Sequence, residues 1–523
     1  MSNARPTTDD QTFWDDIEGY CGALSYAPGE TAQLHISTRA ERYDITIERW
    51  GAERETVWET RDHAGEFHAP PENADSEGCG WPISIAVPID PAWKSGFYIV
   101  TLTAQGSAPD RAIAHAGFVV RARTVRSEPC RNLLVLDTNT WHAYNTWGGR
   151  SLYTGGTKVS FARPFCRGIL SRPEVERDDR KARPVYSHEE PDSDGTIFQA
   201  YRMERGYPSA IGSAGWFTHG RRFIEWAERR GYEFDYAVSS DLEDDPSITD
   251  GYEFIVSVGH DEYWSAGQRD TVERHVKNGG HFASFSGNTM FWQVRLEQAE
   301  RGRSMVGFKY TAHRADPIIE TDRRQEMSGM WGDPIVGRPE WSFLGAGSAF
   351  GLYHRFGQAT ARGVGGFVVY RYGHWLFDGT GLGYGDVLGS DDGVVGYETI
   401  GCPITFDEFQ LPIPVDRTDL PDDLEIVAFV PSSNLGVGEY PASIAALNDQ
   451  GDLEFIAERI YGSTSDDNLA RARHGNAVMA TCRPFGSTGG EVVTIGTTDW
   501  VWGLAGDSAV GQVTANVLDR YST

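Results

Sequence analysis

The sequence predicts a β plus α/β protein: an antiparallel β-sandwich over residues 15–125, then a doubly wound α/β domain over 130–523 that carries β-rich insertions. Three observations lead there. Short β-type runs broken by turn signals fill the first part, and continuous apolar runs alternating with helical patterns fill the second. The chain is also 523 residues long, more than one hydrophobic core usually organises.

In the first part, AQLHIS, YDITIERW, PISIAVPI, GFYIVTLTA and AIAHAGFVV are separated by PG, GA and PPENADSEG, the grammar of a small sandwich. VRARTVRSEPCR reads as the connection out of it. Then NLLVLD, FIVSVG (254–259) and HFASFS (281–286) read as buried parallel strands. Between them, THGRRFIEWAERRGY has Thr218 as a cap, Phe223, Trp226 and Ala227 on one face and Gly231 at the exit. SAGQRDTVERHVKNGG carries Ser265 and Gln268 in a capping-box pattern and ends on Gly279 and Gly280. Strand, helix, strand at this spacing predicts right-handed crossovers. Residues 167–215 are polar and Pro-rich, an excursion long enough to be functional. Beyond residue 300 the chain is β-rich and glycine-rich, closing with EVVTIGTTDWVWGL and VGQVTANVLDRY as a last strand and helix.

Composition narrows the function. Lys and Arg total 47 against 75 Asp and Glu, a net charge of −28 that repels nucleic acid and anionic lipid. MSNARPTTDDQTF has neither a basic start nor an apolar run, and no stretch approaches the ~20 apolar residues of a membrane span. The six cysteines lack CxxC or CxxxC spacing. A reduced, cytoplasmic protein without nucleic-acid or membrane partners is expected.

Ligands of an open parallel sheet bind outside the carboxyl ends of its strands. NLLVLD is followed there by Thr138 through Gly149, FIVSVG by His260-Asp261-Glu262-Tyr263-Trp264, and HFASFS by Gly287-Asn288-Thr289. His260 and Glu262 alternate across one residue, so both side chains face one side and Asp261 the other. An imidazole and a carboxylate together suit a metal or proton transfer, while the plainer reading makes Asp261 and Glu262 charges at a helix N-terminus. Asn288 stands where a strand-to-helix elbow would carry Ser or Cys; its amide suits an oxyanion, or equally a cap or left-handed turn. GxSxG, GxCxG, GxxxxGK[ST], HExxH and a strand-to-helix GxGxxG are all absent. A metal with bound water would supply the missing nucleophile.

TNTWHAYNTWGGRSLY (138–153), SVGHDEYWS (257–265), FSGNTMFW (285–292) and the VVGYE before Thr399 resemble the large subunit of N,N-dimethylformamidase, over about residues 15–520. The resemblance implies an immunoglobulin-like sandwich, an α/β domain like that of class I glutamine amidotransferases, and one Fe(III) held by two tyrosines and a glutamate. Carried onto this chain, Glu262 is the carboxylate ligand and Tyr144 one tyrosinate. Tyr186 fits the spacing of the second, with Tyr153 and Tyr201 as fallbacks. His260, Asn288 and Glu398 match the family's further active-site residues. The chain opens directly on the sandwich, so the large subunit's additional N-terminal domain and any small subunit are expected to be absent. A homo-oligomer is implied, with a small subunit as the remaining alternative.

Two phenolates and a carboxylate are hard anionic oxygens that suit Fe³⁺. The reaction implied is hydrolysis of a small N-substituted amide such as N,N-dimethylformamide to formate and dimethylamine. Asn288 and His260 would steady the oxyanion, Glu398 would serve as general base, and Trp141, Trp147 and Trp264 would shape a pocket for methyl groups. Two other classes stay open: a metal-free hydrolase or transferase using His260 and Glu262, and a binding protein whose aromatic crevice holds a sugar or small ligand.

Overall fold

The computed structural model describes residues 15–122, 131–172, 206–208, 210, 212–356, 360, 363–415, 419–440 and 451–522. Its first strands are β1 (Ile17–Cys21), β2 (Ser25–Tyr26), β3 (Thr31–Thr38), β4 (Arg42–Trp50), β5 (Arg54–Ala64), β6 (Ile85–Pro88), β7 (Gly96–Ala104) and β8 (Ile113–Val120). They form a three-stranded sheet, β1-β3-β6, and a five-stranded sheet, β2-β8-β7-β4-β5. Period-two alternation turns Ala32, Leu34 and Ile36 of one sheet and Tyr43, Ile45 and Ile47 of the other into a single core.

The second region is built on a nine-stranded mixed sheet. Its strands are β9 (Asn132–Leu136), β10 (Asp235–Val238), β11 (Phe254–His260), β13 (His281–Gly287), β15 (Phe367–Val369), β16 (Val387–Leu388), β17 (Glu425–Ser433), β18 (His474–Cys482) and β19 (Val492–Thr494). A short β12 (Tyr263–Ser265) pairs in parallel with β14 (Trp292–Ala299) beside it. The order is β10-β9-β11-β13-β19-β18-β17-β15-β16, parallel from β10 to β19 and antiparallel beyond. From β9 the chain moves outward to β10 and then crosses back to β11. The strand order therefore reverses between β9 and β11, and the crevice outside their carboxyl ends is the switch point where α/β sheets bind ligands.

Helices α1 (Thr138–Tyr144), α2 (Arg221–Arg229), α3 (Ala266–Lys277), α4 (Asp452–Tyr461) and α5 (Ser508–Ser522) pack around this sheet. Two helix starts differ from the sequence reading. Thr218 does not cap α2: a π-helical turn, Trp216–Gly220, runs straight into it, and the Thr218 hydroxyl donates back to Ala214 O at 3.2 Å. Ser265 caps α3 by accepting from the Gln268 N–H at 3.2 Å. The Gln268 side chain does not close the box; its Oε1 accepts from Asn139 Nδ2 at 3.3 Å.

Five cysteines among the described residues are free thiols, all buried. No helix among those residues is long and apolar enough to cross a membrane.

Candidate metal and catalytic centre

Three strand ends and one distant loop build the site. After β9, the two turns of α1 carry Tyr144 inward. Next to it, Tyr153 stacks on Tyr144 with ring centroids 4.2 Å apart at 25°. β11 ends on His260 and Glu262 follows it, and their side chains share a face: His260 Nε2 is 3.2 Å from Glu262 Oε2. Asp261 turns away and accepts from Ser257 Oγ at 2.6 Å. Neither acid caps α3, so the alternation reading describes them and the helix-terminus reading does not.

After β13 the chain does not enter a helix. Asn288 and Met290 adopt positive φ, 49° and 59°, and the chain reverses into β14. Asparagine tolerates this left-handed conformation well; methionine does so only where its surroundings enforce it. Here the Met290 N–H is fixed on Asp261 O at 2.9 Å and the Trp292 N–H on Glu262 O at 3.0 Å. Gly287 lets the Glu398 loop approach, since a Cβ there would lie 2.4 Å from Glu398 O.

These elements converge on a buried polar cluster. Tyr153 Oη donates to Glu262 at 2.9 and 2.7 Å, and Tyr144 Oη lies 3.4 Å from Glu262 Oε2 and 3.3 Å from Tyr397 Oη. Tyr263 Oη donates to Tyr153 Oη at 2.8 Å. His260 Nε2 is 2.6 Å from Glu398 Oε2, which also accepts from Asn288 Nδ2 at 2.9 Å. Ser348 Oγ donates to Asn288 Oδ1 at 2.5 Å, which fixes the direction of the amide.

Protonation follows from these contacts. His260 Nδ1 lies 2.8 Å from Ser213 O, and because a carbonyl only accepts, Nδ1 carries a hydrogen. Burial works against a second proton, but Glu398 and then Glu262 outweigh it and hold the ring well above its ordinary range. For Glu262, burial would raise the carboxyl, yet His260, Lys309 and Tyr153 together hold it below the usual value. Burial, reinforced by the carboxylates, pushes Tyr144, Tyr153, Tyr263 and Tyr397 well above ordinary phenols. All four are therefore neutral donors unless a strong cation arrives.

The donor set suits such a cation. His260, Glu262 and Glu398 each bring a ligand-type atom within 4.8 Å of the others, His260 Nε2 being able to ligate once its proton is lost. Despite its short contacts, His260 Nε2 has no aligned hydrogen bond, so it faces the space between both carboxylates. With Tyr144 and Tyr153 alongside, hard oxygens dominate, the preference of ferric iron rather than of a soft ion.

Of the residues singled out from sequence, Tyr144, Glu262, His260, Asn288 and Glu398 come together. Tyr186 and Tyr201 lie outside the described residues, and Tyr153 occupies the place beside Glu262. The three tryptophans do not line this cluster. Trp141 donates to Asp137 at 2.6 Å and packs edge-on against Phe97, Trp147 meets Trp81, and Trp264 packs on Phe282 in a separate core. The rings that do line it are tyrosines. Tyr263 and Tyr397 went unread although each adjoins a selected glutamate, and Lys309 in GFKYT had no sequence signal.

No curated protein matches the chain. Among solved structures, a β-D-glucuronidase from Dictyoglomus thermophilum aligns at 9% identity and TM-score 0.12, over 51% of this chain and 43% of that one, too slight a likeness to inform the fold. The family model described as N,N-dimethylformamidase beta subunit-like, C-terminal, matches residues 44–515. The chain belongs to the N,N-dimethylformamidase beta subunit-like, C-terminal family.

Proposed function

We propose that this protein is an iron-dependent amidohydrolase that cleaves the C–N bond of a small N-substituted amide, N,N-dimethylformamide being the nearest candidate, to a carboxylate and an amine. The family's name supports a hydrolase of the dimethylformamidase type. The observation that carries the reading is the convergence of Tyr144, Tyr153, Glu262, His260 and Glu398 at the switch point of the sheet.

Tyr144, Glu262 and a second tyrosine would hold Fe(III). Tyr153 is that tyrosine among the described residues, and Tyr186 stays the alternative by spacing. When bound, ferric iron supplies Lewis acidity, polarising a carbonyl and acidifying water. The chain's own groups handle protons. Glu398 takes a proton from the attacking water and returns it to the departing nitrogen, whose expulsion is otherwise slow. His260, fixed through Nδ1 on Ser213 O, keeps Nε2 2.6 Å from Glu398 and, when protonated, steadies negative charge there. Asn288 orients Glu398 with one N–H and retains a second, since an amide nitrogen carries two, for the oxyanion. The phenol rings enclose the centre and exclude bulk water, which strengthens each of these interactions.

The reading takes the chain as a cytoplasmic homo-oligomer. It is tested by incubating purified protein with N,N-dimethylformamide and assaying formate and dimethylamine, which must appear in equal amounts. A metal-free hydrolase has one observation in its favour: His260 and Glu398 already form an acid–base pair. Turnover that survives exhaustive chelation would select it.

A further inference from the structure

Beside this cluster lies a cation that the proposed chemistry does not use. Lys309 is 5% exposed and sits at φ 52°, the left-handed region that a lysine enters only under constraint. The constraint is visible. Ser328 Oγ accepts from the Phe308 N–H at 3.0 Å, and Ser328 O accepts from the Lys309 N–H at 2.9 Å. Asp316, itself paired with Arg295, anchors Ser328 through its N–H and hydroxyl at 2.8 and 2.7 Å.

This clamp drives the side chain inward. Nζ lies 3.3 Å from the centroid of the Tyr153 ring, with Trp292, Tyr310 and Tyr263 at 5.5, 5.6 and 5.8 Å. Tyr144 covers one face of Tyr153, so the ammonium occupies the other. Cation–π contact satisfies part of its charge, but an ammonium also carries three N–H donors. Among the described residues none of them meets a hydrogen-bond acceptor, and no carboxylate comes within ion-pair distance. The fields of Glu262, Asp452 and Glu398 reach Lys309 without touching it. These donors are left for a ligand, and the clamp holds the ammonium in that position.

We propose that Lys309 is a carboxylate-binding residue: its ammonium donates to an oxygen of the acid released when the amide is cleaved, so small monocarboxylates, formate first, bind at this position. The inference rests on the hydrolase reading for its substrate. Water and a neutral amide give one carboxylate and one protonated amine, so the reaction creates a pair of opposite charges. The cationic amine suits the Glu398 carboxylate, and the new anion suits the Lys309 ammonium. Lys309 thus separates product from substrate by charge, and the acid product is an inhibitor.

Isothermal titration of sodium formate into the full chain at neutral pH tests this, with sodium chloride as the control anion. Wild type is expected to bind formate saturably and chloride far more weakly. Lys309→Met keeps the stem and loses the charge, and should weaken formate binding about 10- to 100-fold, the effect of removing a charge-assisted hydrogen bond. Unchanged binding in Lys309→Met, no binding in wild type, or chloride competing as strongly as formate each overturns the proposal. Should Lys309→Met fail to fold, a wild-type crystal soaked in formate decides. A formate oxygen about 2.7–3.2 Å from Nζ upholds the site and formate bound elsewhere refutes it. Formate binding that depends on Lys309 in a chain that cleaves no amide would retire the hydrolase reading alone. Amide turnover without that dependence would retire this one alone.

Discussion

Glu398→Gln separates proton handling from metal holding. The carboxylate oxygen that Glu398 turns inward serves two partners, His260 Nε2 at 2.6 Å and Asn288 Nδ2 at 2.9 Å. Two opposite charges at 2.6 Å attract by about 6 kcal/mol at an effective dielectric of about 20. Most of that does not reach the stability, because His260 can release its proton once its partner is neutral. Glutamine still offers Asn288 a carbonyl oxygen, since Ser348 keeps the Asn288 amide in place. A net loss of about 1–3 kcal/mol is therefore expected, the cost of one charge-assisted hydrogen bond. Catalysis should suffer more. An amide cannot accept the proton of attacking water, and loss of a general base lowers kcat about 10²- to 10⁴-fold. Glu398 is outside the proposed ligand trio, so iron content and the visible spectrum should stay as in wild type. Steady-state kinetics on N,N-dimethylformamide, paired with metal analysis and urea unfolding, read all three quantities. A kcat within about threefold of wild type, less than 1 kcal/mol of barrier, would refute the role given to Glu398.

Other consequences follow away from the ligands. Asp452, itself buried, accepts from Tyr310, Tyr353 and Tyr440 at 2.7, 2.8 and 2.6 Å. Asp452→Asn leaves one phenol facing an amide donor and should cost about 2–4 kcal/mol in urea unfolding, and an unchanged midpoint would show that these bonds contribute nothing. Glu340 is fully buried with only backbone N–H groups near its carboxyl, and burial raises it from 4.5 to about 8. The unfolded chain then ionises first, so stability should fall as pH rises from 4.5 to about 8, by at most about 5 kcal/mol. Glu340→Gln should flatten that slope, and identical slopes in both proteins would contradict it. Gly259 has φ 90°, and a Cβ there would lie 2.4 Å from the His219 Cβ. Gly259→Ala should cost about 3 kcal/mol or more and disturb His260 next to it, whereas wild-type stability would mean that His219 yields.

The sequence carries the sheet clearly because buried parallel strands are written locally: NLLVLD, FIVSVG and HFASFS each fall on a strand of the central sheet. Placing GHDEYW and GNTM at strand ends then brings His260, Glu262 and Asn288 together through topology alone. What the sequence could not show depends on distance along the chain. Tyr153 meets Glu262 across 109 residues, and Ser348 meets Asn288 across 60. Nothing local marks either pair. Gly-Asn suits a helix start and a left-handed turn alike; the structure takes the left-handed turn, with Met290 held in it by Asp261 and the following chain by Glu262. Trp264 stood beside the right residues, but strand alternation sends it into the opposite core. Tyr186 came only from spacing within the family, and it lies outside the described residues.

The central claim is that Tyr144, Glu262 and a second tyrosine bind ferric iron. Metal analysis with a visible absorption spectrum of the purified chain tests it directly, alongside Tyr144→Phe, Tyr153→Phe and Tyr186→Phe. The account predicts about one iron per chain and a phenolate-to-iron charge-transfer band, with colour and iron both reduced in Tyr144→Phe and in whichever second variant removes the other ligand. A colourless, iron-free protein that still releases formate and dimethylamine would contradict it.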